Sequence, residues 1–282
     1  MNFQNLLPRG YGMVELGEEE TEVIENPYDM DYRARHSTDA AYDLGVLNTS
    51  IPAEEIVEMV QNAIAYDRSH NGGPRGIRML FYGVSGGGKT KLAHYIADSL
   101  GRKVISKNGS DIFGMYVGES EKNIAKSFSE AKQNDSVLLF DEVDSFFRER
   151  SDAIRRYEVT ETNEFLTQME NYEGIVICTT NFREVMDRAM QRRFHIMVEF
   201  KALTDDGIEI LMERFFPEFD FSDEQLERLC RYKSATPGDF GNLHSRLRFM
   251  RPEKVTSEYI IQELCGIQEE KEYGKKSVGF MS

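Results

Sequence analysis

An α/β fold is expected here, a parallel sheet with flanking helices followed by a small all-helical domain. Three observations predict it. Up to about residue 203, apolar runs alternate with stretches of helical period, the pattern of strands joined by crossover helices. One run, Val137-Leu138-Leu139-Phe140, has four apolar residues in succession, which suits a strand buried on both faces. After Leu203-Thr204 the runs stop and only helical periods remain.

Residues 1–41 read as an acidic arm. Glu18-Glu19-Glu20, Glu22, Glu25, Asp29 and Asp31 crowd it, with turn signals at Pro8-Arg9-Gly10 and Asn26-Pro27 and no regular period, so a solvated segment is expected. Residues 42–203 hold the sheet. A first helix is expected after Ile51-Pro52, with Glu54 and Glu55 complementing its dipole and Ile56, Val57, Val60 and Ile64 as its apolar stripe. Strands are expected at Met79–Tyr82, Lys103–Ser106, Val137–Phe140, Ile175–Thr179 and Ile196–Phe200. Between them, Leu92, Ala93, Ile96, Ala97 and Leu100 mark one helix, Ile124, Ala125, Phe128 and Ala131 a second, and Asn163 to Met169 a third. Residues 204–270 are expected to form the helical lid. Ile208, Leu211, Met212 and Phe215 share a face, Ser222 and Gln225 make a capping box, and further helices follow Pro237-Gly238-Asp239 and cover Glu258 to Leu264. Residues 271–282 are expected to be a short tail.

The bulk numbers limit the function classes. A formal net charge of -15 and a pI of about 4.9 argue against a general nucleic-acid binder, which carries a basic face. The three cysteines, Cys178, Cys230 and Cys265, are too widely spaced for a zinc pattern and suit a reducing, cytoplasmic setting. No apolar run is long enough to span a bilayer. The five histidines contain no H-E-x-x-H pattern, so no zinc-protease site is expected.

The chemistry concentrates at Gly83-Val84-Ser85-Gly86-Gly87-Gly88-Lys89-Thr90, which follows an apolar run and opens a helix. That is the P-loop signature in the context it requires, and it makes the expected fold a P-loop NTPase fold. Glycines such as Gly83, Gly86, Gly87 and Gly88 let successive backbone N–H groups, with that of Ser85, turn toward one anion, and the helix N-terminus adds its positive dipole end. In such a loop Lys89 faces the β- and γ-phosphates of ATP, and the Thr90 hydroxyl ligates Mg²⁺. Asp141, at the mouth of the four-residue apolar run, completes the Mg²⁺ site, and Glu142 beside it can orient and polarise an attacking water. Asn181, at the end of the neighbouring run, can hold that water or a γ-phosphate oxygen.

These motifs, in this order, resemble the AAA ATPases, in particular the subfamily of FtsH, katanin, spastin and the proteasomal ATPases. The resemblance covers residues 42 to 270. Asp43-Leu44-Gly45-Val46 resembles the subfamily's adenine contact, which places Leu44 and Gly45 at the nucleotide. Pro74-Arg75-Gly76 resembles its lead-in to the P-loop. Tyr116-Val117-Gly118-Glu119-Ser120-Glu121 resembles its pore loop, which implies that Tyr116 and Val117 grip a protein substrate. Asp141-Glu142-Val143-Asp144 resembles its Walker B stretch, Thr180-Asn181 its sensor 1, and Pro237-Gly238-Asp239-Phe240, more weakly, the opening of its sensor 2 helix. The family usually reads Arg-x-Gly-Arg-Phe-Asp after sensor 1, with two arginine fingers. Here Met190-Gln191-Arg192-Arg193-Phe194-His195 stands instead, so Arg193 is the first choice for a finger acting in trans and Arg192 the second. The family also usually carries a large N-terminal domain, a targeting role left here to the acidic arm or to an adaptor protein.

The resemblance implies an ATP-hydrolysing ring of copies of this chain, expected as a hexamer, that remodels or unfolds protein substrates. The alternative is an ATP-driven assembly switch or chaperone that does not thread its substrate. A nucleic-acid motor fits the charge poorly.

Overall fold

Five strands form one parallel sheet: β1 Ile77–Gly83, β2 Val104–Asn108, β3 Val137–Asp141, β4 Ile175–Thr180 and β5 Ile196–Phe200, in the order β2-β3-β4-β1-β5. The structure, a computed structural model, describes residues 44–69, 75–114, 118–142, 144, 156–181 and 188–278. The expected arm, residues 1–41, and the expected pore-loop residues Tyr116 and Val117 lie outside them. All five expected runs are strands, and the sheet with its flanking helices is the α/β fold that the apolar runs predicted.

Burial on both faces explains the near-continuous apolar strands. Leu80, Leu138, Phe140, Val176 and Cys178 point to one face. There they meet Ile124, Phe128 and Ala131 of α4 (Glu119–Gln133) and Phe165, Leu166 and Met169 of α5 (Arg156–Asn171). Phe140 and Phe165 pack edge-on with ring centroids 5.0 Å apart. Met79, Phe81, Leu139, Ile177 and Val198 point to the other face. Ile56 and Val60 of α1 (Ala53–Ser69) and Leu92, Ala93 and Ile96 of α2 (Lys89–Ser99) cover them. Two one-turn helices complete this part, α3 (Gly109–Ile112) and α6 (Arg188–Gln191).

After β5, the described chain is helical. The segments α7 (Asp205–Phe215), α8 (Asp223–Cys230), α9 (Pro237–Leu247) and α10 (Ser257–Val278) enclose a separate apolar cluster that includes Ile208, Leu211, Met212, Leu229, Phe240, Leu243, Ile260 and Leu264. The capping box at α8 forms as its spacing predicted: Gln225 N donates to Ser222 Oγ at 3.3 Å, and Ser222 N to Gln225 Oε1 at 3.0 Å. The expected tail needs correction, because α10 runs on to Val278 and residue 271 lies inside it. A side-chain bond holds the start of this continuation, with Lys271 Nζ donating to Asp239 Oδ2 at 2.6 Å. None of the described helices is long and apolar enough to cross a membrane.

The segment before α1 ties the two parts together. Residues 44–46 form a 3-10 turn whose Val46 belongs to the helical cluster, while Leu44 and Leu47 pack against the sheet. Lys201 N donates to Asn48 O at 2.8 Å and Ser50 N to Glu199 O at 2.9 Å, so this segment runs antiparallel along β5.

The end of β1 is fixed by a close approach of backbones. Gly83 has φ +123°, and a Cβ there would lie 2.1 Å from the Phe200 carbonyl oxygen. Gly83→Ala is expected to destabilise the protein by about 2 kcal/mol or more, from strain and the backbone clash. Urea unfolding measures this, and an unchanged midpoint contradicts the close approach.

Candidate functional site

Four side chains singled out in the sequence, those of Lys89, Thr90, Asp141 and Asn181, meet at the C-terminal ends of β1, β3 and β4. The parallel register brings them there: Tyr82 pairs with Thr180 and Phe140 with Cys178, so the loops that follow these strands leave the sheet side by side. Crevices at the carboxyl ends of parallel strands are where open α/β sheets bind ligands.

Lys89 is the buried centre of this cluster, 7% exposed. Its Nζ donates to Gly83 O at 3.1 Å, Val84 O at 2.8 Å and Asn181 Oδ1 at 2.8 Å. Burial pulls its pKa down to about 8, against the pull of the nearby Asp144, Asp141 and Glu142 carboxylates. The loop Val84–Gly88 thus wraps a desolvated cation, with the first turn of α2 behind it.

Thr90 Oγ1 donates to both Asp141 oxygens at 3.0 Å. The buried Thr179 hydroxyl also donates to Asp141, and accepts from Glu142 N at 2.9 Å. Thr179 therefore links β4 to the turn after β3 and sets the direction in which that turn leaves the sheet. Glu142 sits in this turn, exposed and with φ +53°, an uncommon conformation for a residue with a Cβ and one that clusters at functional sites.

Asp144 is a further acidic group whose site the sequence motifs had left without a task. It accepts from the Thr180 hydroxyl and, at 3.1 Å, from Asn181 N. That contact holds the backbone of Asn181 while the side-chain oxygen faces Lys89. Thr179, Thr180 and Asp144 carry a signal in the sequence after all: polar residues at the mouths of otherwise apolar strands, next to carboxylates.

Thr90 and Asp141 present adjacent hard oxygen atoms, the donor type that Mg²⁺ takes. Among the described residues, no group of three His, Cys, Asp or Glu side chains could hold a metal ion. A cation here would draw its other ligands from water and phosphate oxygens, the usual arrangement for Mg²⁺.

The remaining candidates are dispersed. Leu44 and Gly45 lie in the 3-10 turn between the sheet and the helical part. Arg192 is exposed. Arg193 stands before the N-terminal end of β5, beside the start of β1: Arg78 Nε donates to Arg193 O at 2.7 Å, and Arg193 Nε to Glu170 Oε1 at 2.6 Å. His195, where the resembling family has Asp, lies 2.6 Å by its Nε2 from Arg78 Nη2. Burial, and then the Arg78 cation, hold its imidazole below the usual histidine range. From Arg78 to Gly83, β1 advances roughly 16 Å at about 3.3 Å per residue, so Arg193 and the phosphate loop of the same chain sit at opposite ends of the sheet.

The residues matched by a family model, 79–202, are those of the family described as "ATPase family associated with various cellular activities (AAA)". The ATP-dependent zinc metalloprotease FtsH of Synechococcus sp. is 30% identical over 235 residues, which is 78% of this chain and 36% of that protein. A putative 26S proteasome regulatory subunit homolog of Methanothermobacter thermautotrophicus is 28% identical over 223 residues, 76% of this chain and 59% of that protein. The cell division cycle protein 48 homolog of Archaeoglobus fulgidus is 30% identical over 173 residues, 58% of this chain and 23% of that protein. The chain thus spans less than two thirds of the length of each of these relatives. Among solved structures, the FIGL-1 AAA domain in complex with ADP superposes with a TM-score of 0.58 at 19% identity, over 79% of this chain and 82% of that one, a likeness of fold. Motif order, sequence and fold agree in this region, and residues 79–202 carry the AAA domain of that ATPase family.

Proposed function

We propose that this chain binds ATP with Mg²⁺, hydrolyses it within a ring of its own copies, and uses the turnover to remodel or unfold protein substrates. The convergence of Lys89, Thr90, Asp141 and Asn181 at the strand ends is the observation that carries the reading. Lys89 is assigned to the β- and γ-phosphates, with the backbone N–H groups of the loop Gly83–Gly88 around them. Leu44 and Gly45 are assigned to the base. Thr90 and Asp141 are assigned to Mg²⁺, which when bound neutralises charge on the phosphate oxygens. Glu142 orients and polarises the attacking water, and Asn181, already held by Asp144, positions that water or a γ-oxygen.

The placement of Arg193 supports a ring. It is too far from its own phosphate loop to touch a γ-phosphate there, whereas a head-to-tail neighbour can present it to the next site, and such an interface closes by rotation. Its pair with Glu170, with side chains 29% and 47% exposed, is of the surface kind that contributes little to stability. Arg192 is the second choice for the same role. A hexamer is the assembly that the family resemblance implies.

Protein remodelling is supported by the relatives, one named an ATP-dependent protease and another a proteasome regulatory subunit homolog. Tyr116 and Val117 are the residues assigned to substrate, on the resemblance of their loop alone.

Two experiments follow. Arg193→Ala subunits are expected to bind ATP but to lose about 10³-fold or more in turnover, the scale of arginine fingers in other NTPases. Mixing them with Lys89→Ala subunits should restore part of the activity, because interfaces with an intact site facing an intact arginine then form. No restoration in confirmed mixed rings contradicts the shared site. Tyr116→Ala is expected to keep ATP turnover within a few-fold and to lose unfolding of a tagged folded reporter. If turnover and reporter unfolding both survive, threading is wrong and an assembly switch takes its place.

A further inference from the structure

A second polar cluster lies in the helical part and reaches the phosphate loop. Asp239, in the first turn of α9, is 7% exposed. Its Oδ2 accepts from Thr236 N at 2.8 Å, Thr236 Oγ1 at 3.1 Å, Gln268 Nε2 at 3.0 Å and Lys271 Nζ at 2.6 Å. Only the contact with Thr236 N is needed to cap α9. Gln268 and Lys271 come from α10, about 30 residues further along the chain. Gln268 is fully buried and also accepts from Ser234 Oγ at 2.9 Å. Lys271 Nζ adds bonds to Ser234 O at 3.3 Å and Thr236 Oγ1 at 3.4 Å.

The other side of Thr236 and Gly238 is the phosphate loop. Gly238 N donates to Gly86 O at 2.9 Å. A Cβ on Gly86 would lie 2.9 Å from Thr236 Oγ1, and a Cβ on Gly238 would lie 3.0 Å from Gly86 Cα. The two backbones therefore touch with no side chain between them to absorb a shift. A displacement of the start of α9 is passed to Gly86 directly, since close-packed contacts transmit strain. What fixes the start of α9 is the fully bonded Asp239 cluster, and a satisfied buried network selects one arrangement.

We propose that Asp239, gripped by Gln268 and Lys271, is a positioning residue for the phosphate loop, so that the later turns of α10 set how firmly Gly86 and its neighbours hold a nucleotide. This rests on the reading of the loop as a nucleotide site. It gives the helical part a role in binding that passes through backbone contact, without any α10 side chain touching the nucleotide.

Lys271 is partly exposed, so the full-length chain with Lys271→Met is expected to fold; Lys271→Arg keeps the charge, and Asp239→Asn supplies a second, near-isosteric break in the cluster. Hydrogen exchange of residues 83–90 is measured in nucleotide-free protein, and affinity with a fluorescent ADP. Lys271→Met and Asp239→Asn should speed exchange in that loop and weaken ADP binding by about fivefold or more, the range of ordinary site-to-site coupling. Exchange in β3 and β4 should stay unchanged, and Lys271→Arg should return both readouts toward those of the unaltered protein. If exchange rises only within α9 and α10, with loop exchange and ADP affinity unaltered, the cluster merely stabilises the helical part and the proposal is wrong. Failure of the unaltered chain to bind ADP would instead remove the nucleotide reading, and the loop exchange would then decide the positioning role alone.

Discussion

A buried ammonium group constrains this structure more than any other single feature. Lys89 has lost most of its water, and an isolated charge in that setting is costly unless it is fully bonded. Its bonds to Gly83 O, Val84 O and Asn181 Oδ1 come from two strand ends and the loop between β1 and α2. The β1-β4 register must bring Asn181 to the loop, and the close packing of Gly83 on Phe200 must hold the loop's root. Several neighbouring groups also act on this cation. Asp141, Glu142 and Asp144 oppose the effect of its burial, and Asp144 also keeps Asn181 in place.

The rest of the molecule extends the constraint in two directions. Toward the helical part, the contact of Gly86 with Gly238 and Thr236 joins the loop to a buried network that ends on Lys271 of α10. Toward the other end of the sheet, Arg193 is held by Arg78 and Glu170 at a distance its side chain cannot span. One end of the sheet gathers groups suited to a triphosphate, and the other presents a cation on the surface. The proposed head-to-tail ring would let both ends act on one ligand.

Much of this was legible in the sequence because it is local. The phosphate loop, the apolar strands and the Ser222–Gln225 capping box depend on neighbours a few residues away, and spacing alone carries them. Groups that act through distant partners were harder to read. Asp144 looks like one more acidic residue until β4 brings Thr180 and Asn181 to it. Gln268 is a polar residue late in a helix, and nothing nearby in sequence says that it is fully buried against Asp239. The same cause underlies the misplaced end of α10: Lys271 looks like the start of a charged tail, and its partners lie more than 30 residues earlier. Arg193 was legible as a candidate by resemblance, but its place opposite the loop follows only from the strand register.

The central claim is that the groups around Lys89 form the nucleotide site. Thermal unfolding of the unaltered chain and of Lys89→Met, each with and without saturating ADP, tests it most directly. A ligand that binds only the folded state stabilises it by about 2.7 kcal/mol at a hundred times its Kd. The unaltered chain should therefore melt several degrees higher with ADP, and Lys89→Met should show no shift. An equal upward shift in both proteins would contradict the account.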